Sequence, residues 1–225
     1  MTGEDKSLLS NYFKSRVDSL GVQHDRLILG EREVSTLETL WKIAFDAPFI
    51  SSGLVVDLGC GDRHVASPLE QRGLDYAGFD IDDCNLESEP VPLSDAVASL
   101  VVSYSVIEHL YNPINFLNEV KRISRPDGVL FIETPNWQYS FADFYNDYTH
   151  VRPYTSDSLS SLLEHNGFQV LGTYPNLRCA TPQSYLGRSR FKKAARRPFT
   201  GGAPVWIPGF LKGRAKGMFL LATIS

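Results

Sequence analysis

Cysteine is scarce in this chain, and long apolar runs are missing from it. Only three of the 225 residues are cysteines, namely Cys60, Cys84 and Cys179. An odd number of widely separated cysteines excludes a disulfide framework and a C-x-x-C zinc site, so we expect reduced thiols. No apolar stretch reaches the roughly 20 residues that span a bilayer, and the N-terminus lacks the pattern of a signal peptide. We therefore expect a cytoplasmic protein.

Acidic residues are absent beyond Glu164. Up to that residue 26 acids stand against 12 Lys and Arg, whereas the remainder holds ten Lys and Arg and no acid. This asymmetry favours either contact of the C-terminal part with an anionic partner or its docking on the acidic body. The basic cluster consists of Arg188, Arg190, Lys192, Lys193, Arg196 and Arg197. An apolar patch follows it, made of Val205, Trp206, Ile207, Phe210 and Leu211.

The order of apolar segments predicts the fold. Short apolar strands (GLVVDL, DYAGFD, SLVVSY, GVLFIET, FQVLGTY and GMFLLATI) alternate with helical patterns at residues 69–73, Ile114–Ile123 and Ser156–His165. Apolar strands that alternate with helices predict an α/β, Rossmann-like domain with a mostly parallel sheet and helices on both faces. We place this domain at residues 49–225, with a basic insertion at 175–215 before the last strand.

Two helical patterns precede the domain and form a predicted N-terminal helical lid at residues 1–48. The first covers residues 7–20, where apolar residues recur every three to four positions. The second runs through Leu37, Leu40, Trp41 and Phe45, and Ser35 is a plausible cap for it.

The loop VVDLGCGD at residues 55–62 carries the main clue to a cofactor. A dinucleotide site would have G-x-G-x-x-G, but His64 replaces the third glycine, which allows close helix packing in such sites. Asp57 precedes the turn by two residues. A carboxylate suits a cofactor with a positive group better than one with a diphosphate. S-adenosylmethionine has an ammonium, a sulfonium and no phosphate.

At these residues the sequence resembles the class I S-adenosylmethionine-dependent methyltransferases, over roughly residues 53–170. It is most similar to small bacterial members with Glu-His after the fourth strand, and the resemblance implies a seven-stranded sheet. The motifs that carry it are VVDLGCGD, YAGFDID and CNLESEPVPLSDAVASLVVSYSVIEHL. Asp80 looks like the acid that binds both ribose hydroxyls, and Asn85 stands where an Asp that meets the adenine is usual. The implied cofactor residues are Asp57, Leu58, Gly59, Cys60, Gly61, Asp80, Ile81, Asn85, Leu86 and Ser105.

Catalytic residues are expected after the strand SLVVSY and in the loop that contains His150, because ligands bind at the carboxyl ends of strands in such sheets. Glu108, His109 and His150 can converge there. In one hypothesis they bind a divalent ion, Mg or Mn, that orients the acceptor hydroxyl. Metal-dependent relatives have E-x-x-E-H, and here Ser105 replaces the first Glu.

In the other hypothesis His150 is a general base without a metal. Asp147 and Arg152, which flank it, are candidates to orient it or to bind an anionic acceptor. Trp137 and Tyr139 are candidates for a wall of the acceptor site, since aromatic faces pack on sugars and planar rings alike.

The expected reaction is methylation of a hydroxyl on a saccharide or related small molecule, which includes lipid-linked ones. The basic and apolar insertion would then lie against an anionic membrane surface. Two alternatives stay open. One is an RNA methyltransferase that uses the basic insertion, with salt-sensitive binding. The other is a non-catalytic subunit that binds S-adenosylmethionine.

Overall fold

A computed structural model describes residues 11–12, 23–176 and 215–224 of the chain. Its strands are β1 (Leu54–Leu58), β2 (Asp75–Phe79), β3 (Ala98–Tyr104), β4 (Ser124–Pro135), β5 (Phe168–Asn176) and β6 (Gly217–Ile224). Its α-helices are α1 (Gln23–Phe45), α2 (Ala66–Glu70), α3 (Ile114–Ile123), α4 (Trp137–Ser140) and α5 (Ser156–His165). Two 3₁₀ turns complete it, at Ile107–His109 and Phe144–Asn146.

The six described strands form one sheet in the order β2-β1-β3-β4-β6-β5. β1 pairs in parallel with β2 and β3, and β3 pairs in parallel with β4. β6 lies antiparallel to both β4 and β5. The Rossmann-like, mostly parallel architecture is therefore confirmed, and the carboxyl ends of β1, β3 and β4 meet at one edge of the sheet.

The prediction of seven strands is wrong for the described part of the chain, because residues 80–97 form turns and irregular backbone. Pro90 and Pro92 lack the amide hydrogen that a sheet ladder needs. The Asn85 side chain accepts a hydrogen bond from Glu87 N at 3.0 Å and closes a local turn instead. The Val91 amide, which a strand would use, donates to the Glu119 carboxylate at 2.8 Å.

Helices cover both faces of the sheet, as predicted. On one face α1 packs Val34, Leu37, Leu40 and Trp41 against inward residues such as Phe131 of β4. On the other, α3 and α5 bury apolar side chains against the opposite set of strand residues. Because successive strand residues point to opposite faces, an apolar strand that is covered on both sides needs no polar alternation.

Three sequence boundaries need correction. α1 begins at Gln23, so Ser35 is an interior residue whose hydroxyl donates to Glu31 Oε1 at 3.0 Å and caps nothing. α2 ends at Glu70, because the chain turns before Gly73, which has a φ of 81°. β5 continues through Asn176, so the predicted insertion begins two residues too early.

Two predicted regions fall outside the described residues. They are the basic cluster of the insertion and all of the first N-terminal helix except residues 11–12, which are helical. Within the described residues no helix combines the length and apolarity that crossing a membrane requires.

Candidate active site

The glycine loop after β1 is tied to the end of β2 by short hydrogen bonds. Gly59 N and Cys60 N both donate to Phe79 O, at 2.7 and 3.2 Å. Gly61 N donates to Asp80 Oδ2 at 2.7 Å, and Ile81 N donates to the other oxygen of Asp80 at 2.7 Å. Asp80 therefore holds the loop in place and keeps further lone pairs for a diol.

Asp57 is a buried carboxylate at the end of β1, with 1% of the residue exposed. Its Oδ2 accepts a hydrogen bond from the Tyr76 hydroxyl at 2.8 Å. Its Oδ1 is buried and has no hydrogen-bond partner among the described residues. Burial raises the pKa of Asp57 to about 7. Removal of a carboxylate from water disfavours its charge, so a cationic group nearby would stabilise the ionised form.

The loop fits a cationic cofactor and not a diphosphate. Asp57 and Asp62 flank the two glycines in sequence, and the Asp80 carboxylate, which binds Gly61 N, would repel a phosphate placed there. Gly59 and Gly61 have φ values of 80° and 48°, in the left-handed region. A Cβ on Gly61 would meet nothing within 4 Å, so the loop faces open space there. The acidic side chains around the loop thus agree with a sulfonium cofactor.

Other residues predicted to bind the cofactor are buried. The side chain of Leu58 is fully buried, and Leu86 is 7% exposed. Burial raises the pKa of the Cys60 thiol to about 12, so this cysteine is unreactive at neutral pH. Asn85 is also buried, and its amide oxygen holds the turn at Glu87. Its predicted contact with the adenine stays a prediction.

His64, which stands where a dinucleotide site has glycine, forms a cluster that sequence reasoning missed. Its Nε2 lies 2.6 Å from Glu33 Oε2 of α1, and its Nδ1 lies 3.0 Å from Asp62 Oδ1. Burial opposes a charge on this ring, but the hydrogen bonds to Asp62 and Glu33 raise its pKa to about 10. The protonated ring therefore connects α1 to the glycine loop. Sequence spacing gave no sign of this pair, because Glu33 and His64 lie 31 residues apart.

Glu108, His109 and His150 converge as predicted. Each offers a ligand atom, and these atoms lie within 4.8 Å of one another. Glu108 is fully buried and accepts a hydrogen bond from Thr134 Oγ1 at 2.8 Å, while its Oε1 has no partner within the described part of the chain. Burial, reinforced by the nearby Glu133 carboxylate, raises the pKa of Glu108 to about 8.

Backbone carbonyls fix the tautomers of both histidines. His150 Nδ1 lies 2.6 Å from Phe144 O, and His109 Nδ1 lies 3.1 Å from Thr149 O. A carbonyl oxygen only accepts, so each Nδ1 carries a hydrogen, and the neutral ring has its lone pair on Nε2.

Asp147 supports this arrangement. Its Oδ1 accepts hydrogen bonds from Thr149 Oγ1 at 2.6 Å, from Thr149 N at 3.0 Å and from the Tyr12 hydroxyl at 3.1 Å. Its Oδ2 lies 3.8 Å from His150 Nε2. The carboxylate is therefore placed to stabilise a positive charge on His150, and the role of Asp147 in orienting that ring stays a prediction.

A pocket of about 410 Å³ opens beside His150. The residues that line it include Ser105, Glu133, Ser140, Asp143, Phe144, His150, Asn176, Lys216 and Gly217. Ser105 was predicted to bind the cofactor, and here its hydroxyl donates to Glu133 Oε2 at 2.7 Å. Glu133 was missed, although an acid near the end of the apolar strand GVLFIET is a signal that could have found it.

Aromatic residues surround the loop between β4 and α5. Trp137 packs edge-on against Phe144 and Tyr145, with ring centroids 5.3 and 5.7 Å apart, so part of its surface is used within the protein. Phe141, Tyr145 and Tyr148 are exposed. Thr155, which follows this loop, caps α5 through a reciprocal capping box with Ser158.

The sheet topology and the acid-flanked glycine loop define a Rossmann-like, cofactor-binding domain. A family model described as a methyltransferase domain matches residues 35–173. The chain therefore belongs to this methyltransferase family, within the class I S-adenosylmethionine-dependent enzymes. The particular subtype with Glu-His after the strand stays a prediction.

Three known proteins illustrate the similarity. A protein of Mycolicibacterium smegmatis named "Probable S-adenosylmethionine-dependent methyltransferase" is 30% identical over 137 residues, which cover 53% of each chain. A ubiquinone biosynthesis O-methyltransferase of Rickettsia conorii is 28% identical over 130 residues, or 47% of this chain and 45% of that one. The chain thus spans only about half the length of these curated relatives.

The third is the solved structure of an S-adenosylmethionine-dependent methyltransferase from Aquifex aeolicus. It superposes with a TM-score of 0.55 at 14% identity and covers 94% of this chain and 98% of that one. The likeness shows the fold.

Proposed function

We propose that this protein transfers a methyl group to a hydroxyl oxygen of a saccharide or a related small molecule, with His150 as the general base. The observation that carries the proposal is the fixed tautomer of His150 at the wall of the pocket. Its Nδ1 donates a hydrogen bond to Phe144 O, so the Nε2 lone pair is the basic site of the neutral ring. A neutral imidazole is suited to remove a proton near pH 7.

S-adenosylmethionine, when bound, supplies an electrophilic methyl group on sulfur. The residues that would hold it are Asp57, Gly59 and Gly61 at the methionine half and Asp80 at the ribose. His150 Nε2 would take the hydroxyl proton as the new O–C bond forms and the sulfur–methyl bond breaks, which would leave S-adenosylhomocysteine. Asp147 Oδ2, 3.8 Å from that nitrogen, would stabilise the imidazolium. The fully buried Glu108 adds no charge beside the histidines while its carboxyl is protonated.

Two features support a hydroxyl-bearing acceptor. The exposed aromatic rings of Phe141, Tyr145 and Tyr148 offer apolar faces that can pack against the CH groups of a sugar ring. The similarity to an O-methyltransferase of ubiquinone biosynthesis supports oxygen as the acceptor atom. The basic cluster, Arg188 to Arg197 in the undescribed segment, remains the proposed contact for an anionic headgroup or membrane.

A metal-assisted reaction is the second candidate, because Glu108, His109 and His150 offer three ligand atoms within 4.8 Å. Histidines that ligate metals commonly donate their other ring nitrogen to a carbonyl, as both do here. Two imidazoles and one carboxylate suit Mn or Zn better than Mg, which prefers oxygen ligands. A bound ion would lower the pKa of an acceptor hydroxyl.

The test is a screen of the full chain with S-adenosylmethionine that carries a labelled methyl group. The pools are neutral glycosides, glycolipids, phenols and RNA, and the expected product is a labelled glycoside or glycolipid. Label that appears only in RNA would replace the proposal with the alternative of an RNA enzyme. Tight cofactor binding without label in any pool would favour a non-catalytic subunit.

A further inference from the structure

Helix α1 contacts the end of the glycine loop backbone to backbone. Gly30 of α1 is buried, and a Cβ at this position would lie only 2.0 Å from His64 O and 2.8 Å from His64 C. Only a residue without a side chain therefore permits this approach. Glycine is, after proline, the least favourable residue for the interior of a helix. The close contact with the loop, and not helix propensity, thus explains why a glycine stands here.

An ion pair joins the same face of α1 to the loop. Glu33 follows Gly30 by three residues and lies on the same side of the helix. Its Oε2 is 2.6 Å from His64 Nε2, and the other ring nitrogen is 3.0 Å from Asp62 Oδ1. Because ionised carboxylates only accept, the ring carries a hydrogen on both nitrogens and is positively charged. The three side chains are between 17 and 22% exposed, so salt screens their charges less than it would at an open surface.

The loop that this pair holds has an unusual backbone. Gly59, Gly61 and Arg63 have φ values of 80°, 48° and 58°. Arg63 is not a glycine, and a side chain at such a φ adds a steric cost. Such a conformation persists only where its surroundings enforce it. His64 is the next residue and is fixed between α1 and Asp62, so it supplies part of that constraint.

α1 also has an attachment that does not involve the loop. Arg72, which follows α2, binds Glu38 through Nε at 2.7 Å and Glu31 through Nη2 at 2.7 Å. These ion pairs, together with the apolar residues that α1 buries, would keep the helix in place without Glu33. Loss of the Glu33 contact should therefore change the glycine loop and not unfold the domain.

We propose that the ion pair between Glu33 and His64 positions the glycine loop for S-adenosylmethionine, so that attachment of α1 and binding of the cofactor are coupled. Both are positioning residues that act through the backbone of residues 59–63 and do not themselves contact the cofactor. The proposal rests on the family of the chain and is independent of the acceptor. Coupling is reciprocal: if the pair favours binding of the cofactor, the cofactor favours the pair.

Calorimetry of S-adenosylhomocysteine binding to the full chain tests the coupling without catalysis. Glu33→Gln and His64→Gln should each raise the dissociation constant about tenfold, a change within the range for loss of a hydrogen bond between charged groups. The double variant should bind about as weakly as either single one, because both changes remove the same contact. Glu38→Gln makes the same chemical change in α1 but leaves the loop contact intact, so its affinity should stay within about twofold of the wild type.

Hydrogen–deuterium exchange supplies a readout that a purely structural pair would not change. In the wild type, saturating S-adenosylhomocysteine should slow the exchange of amides in residues 30–36 of α1 as well as in the loop. In Glu33→Gln the slowing should be confined to the loop, whereas Glu38→Gln should behave as the wild type does. A pair that only stabilises the fold would alter exchange equally with and without the ligand.

Equal affinities of Glu33→Gln and Glu38→Gln, additive losses in the double variant, or a ligand effect on α1 that survives in Glu33→Gln would each overturn the proposal. Circular dichroism shows whether each variant is folded, and if Glu33→Gln is not, His64→Gln decides the outcome by the same comparison. Failure here is separable from failure of the proposed function, because methyl transfer that depends on His150 would stand even if the cofactor bound normally without this pair.

Discussion

The rings of His109 and His150 lie with their centroids 4.7 Å apart, and each ring directs its Nδ1 at a backbone carbonyl. In each neutral ring the lone pair therefore lies on Nε2. For His150 this nitrogen lies 3.8 Å from Asp147 Oδ2. The following predictions depend on this arrangement and on that of the glycine loop.

Replacement of His150 should separate catalysis from cofactor binding. In His150→Ala we expect turnover of the acceptor found by the screen to fall about 10²- to 10⁴-fold, the usual contribution of a general base. Affinity for S-adenosylmethionine, measured by calorimetry, should change little. His165→Ala removes an exposed histidine at the end of α5 and serves as the matched control. Equal turnover in both variants would rule out His150 as the base.

Asp80 is expected to contribute to cofactor affinity directly and through the loop. Asp80→Ala removes the acceptor for Gly61 N and Ile81 N as well as the predicted partner of the ribose hydroxyls. We expect the dissociation constant for S-adenosylhomocysteine to rise at least tenfold, since two or more hydrogen bonds to a charged group are lost. Asp75→Ala, at the exposed start of β2, is the control. Equal affinities for the two variants would contradict the assignment.

The buried Asp57 predicts a pH dependence of stability. Its pKa in the folded state is raised by burial from the ordinary value of 3.8 to about 7, so the folded state binds the proton more tightly than the unfolded state does. The free energy of unfolding should therefore fall as the pH rises from about 4 to 7, by at most about 1.36 kcal/mol per pH unit from this group.

Denaturant unfolding of the cofactor-free protein from about pH 4 to 7 tests this pH dependence of stability. Asp57→Asn keeps an acceptor for the Tyr76 hydroxyl and cannot ionise, so its profile should lack this component, while Asp75→Asn should keep it. Parallel profiles for the wild type and Asp57→Asn would show that the carboxyl is not perturbed.

Replacement by alanine should have different effects on stability at the two glycines of the loop. Gly59→Ala would place a Cβ 2.2 Å from Val106 Cγ2 at a φ of 80°, so we expect a loss of about 2 kcal/mol or more in the free energy of unfolding. In Gly61→Ala the added Cβ has no atom within 4 Å, so the free energy of unfolding should fall only by the cost of a positive φ, about 1 kcal/mol. Thermal and denaturant unfolding measure both. A larger loss in Gly61→Ala would contradict the packing described here.

Chelation distinguishes the two proposed mechanisms. If His150 is a general base without a metal, methyl transfer should continue in excess EDTA after dialysis. A loss of activity that Mn²⁺ restores, together with weak Mn²⁺ binding in His109→Ala, would assign Glu108, His109 and His150 as ligands instead. Mn²⁺ binding is followed by electron paramagnetic resonance, which does not depend on turnover.

Much of the site could be predicted because its residues follow strand ends. Asp57 and Asp80 stand at the ends of apolar runs, and parallel strands bring such ends together at one edge. The same rule brought Glu108 and His150 into one cluster, as the structure confirms. The seventh strand that the resemblance implied could not be rejected from composition alone. Local hydrogen bonds at Asn85 and Val91 prevent it, and these are visible only in the structure.

The order of apolar segments and the glycine loop determined the fold and the cofactor class of this protein by themselves, because alternation and turn chemistry are local properties of a chain. Tertiary structure decided which polar groups meet: the pairing of His64 with Glu33, the tautomers of His109 and His150, and the hydrogen bond from Ser105 to Glu133. These contacts join residues far apart in sequence. Their energies depend on distance and burial, which only the packed sheet and its helices define.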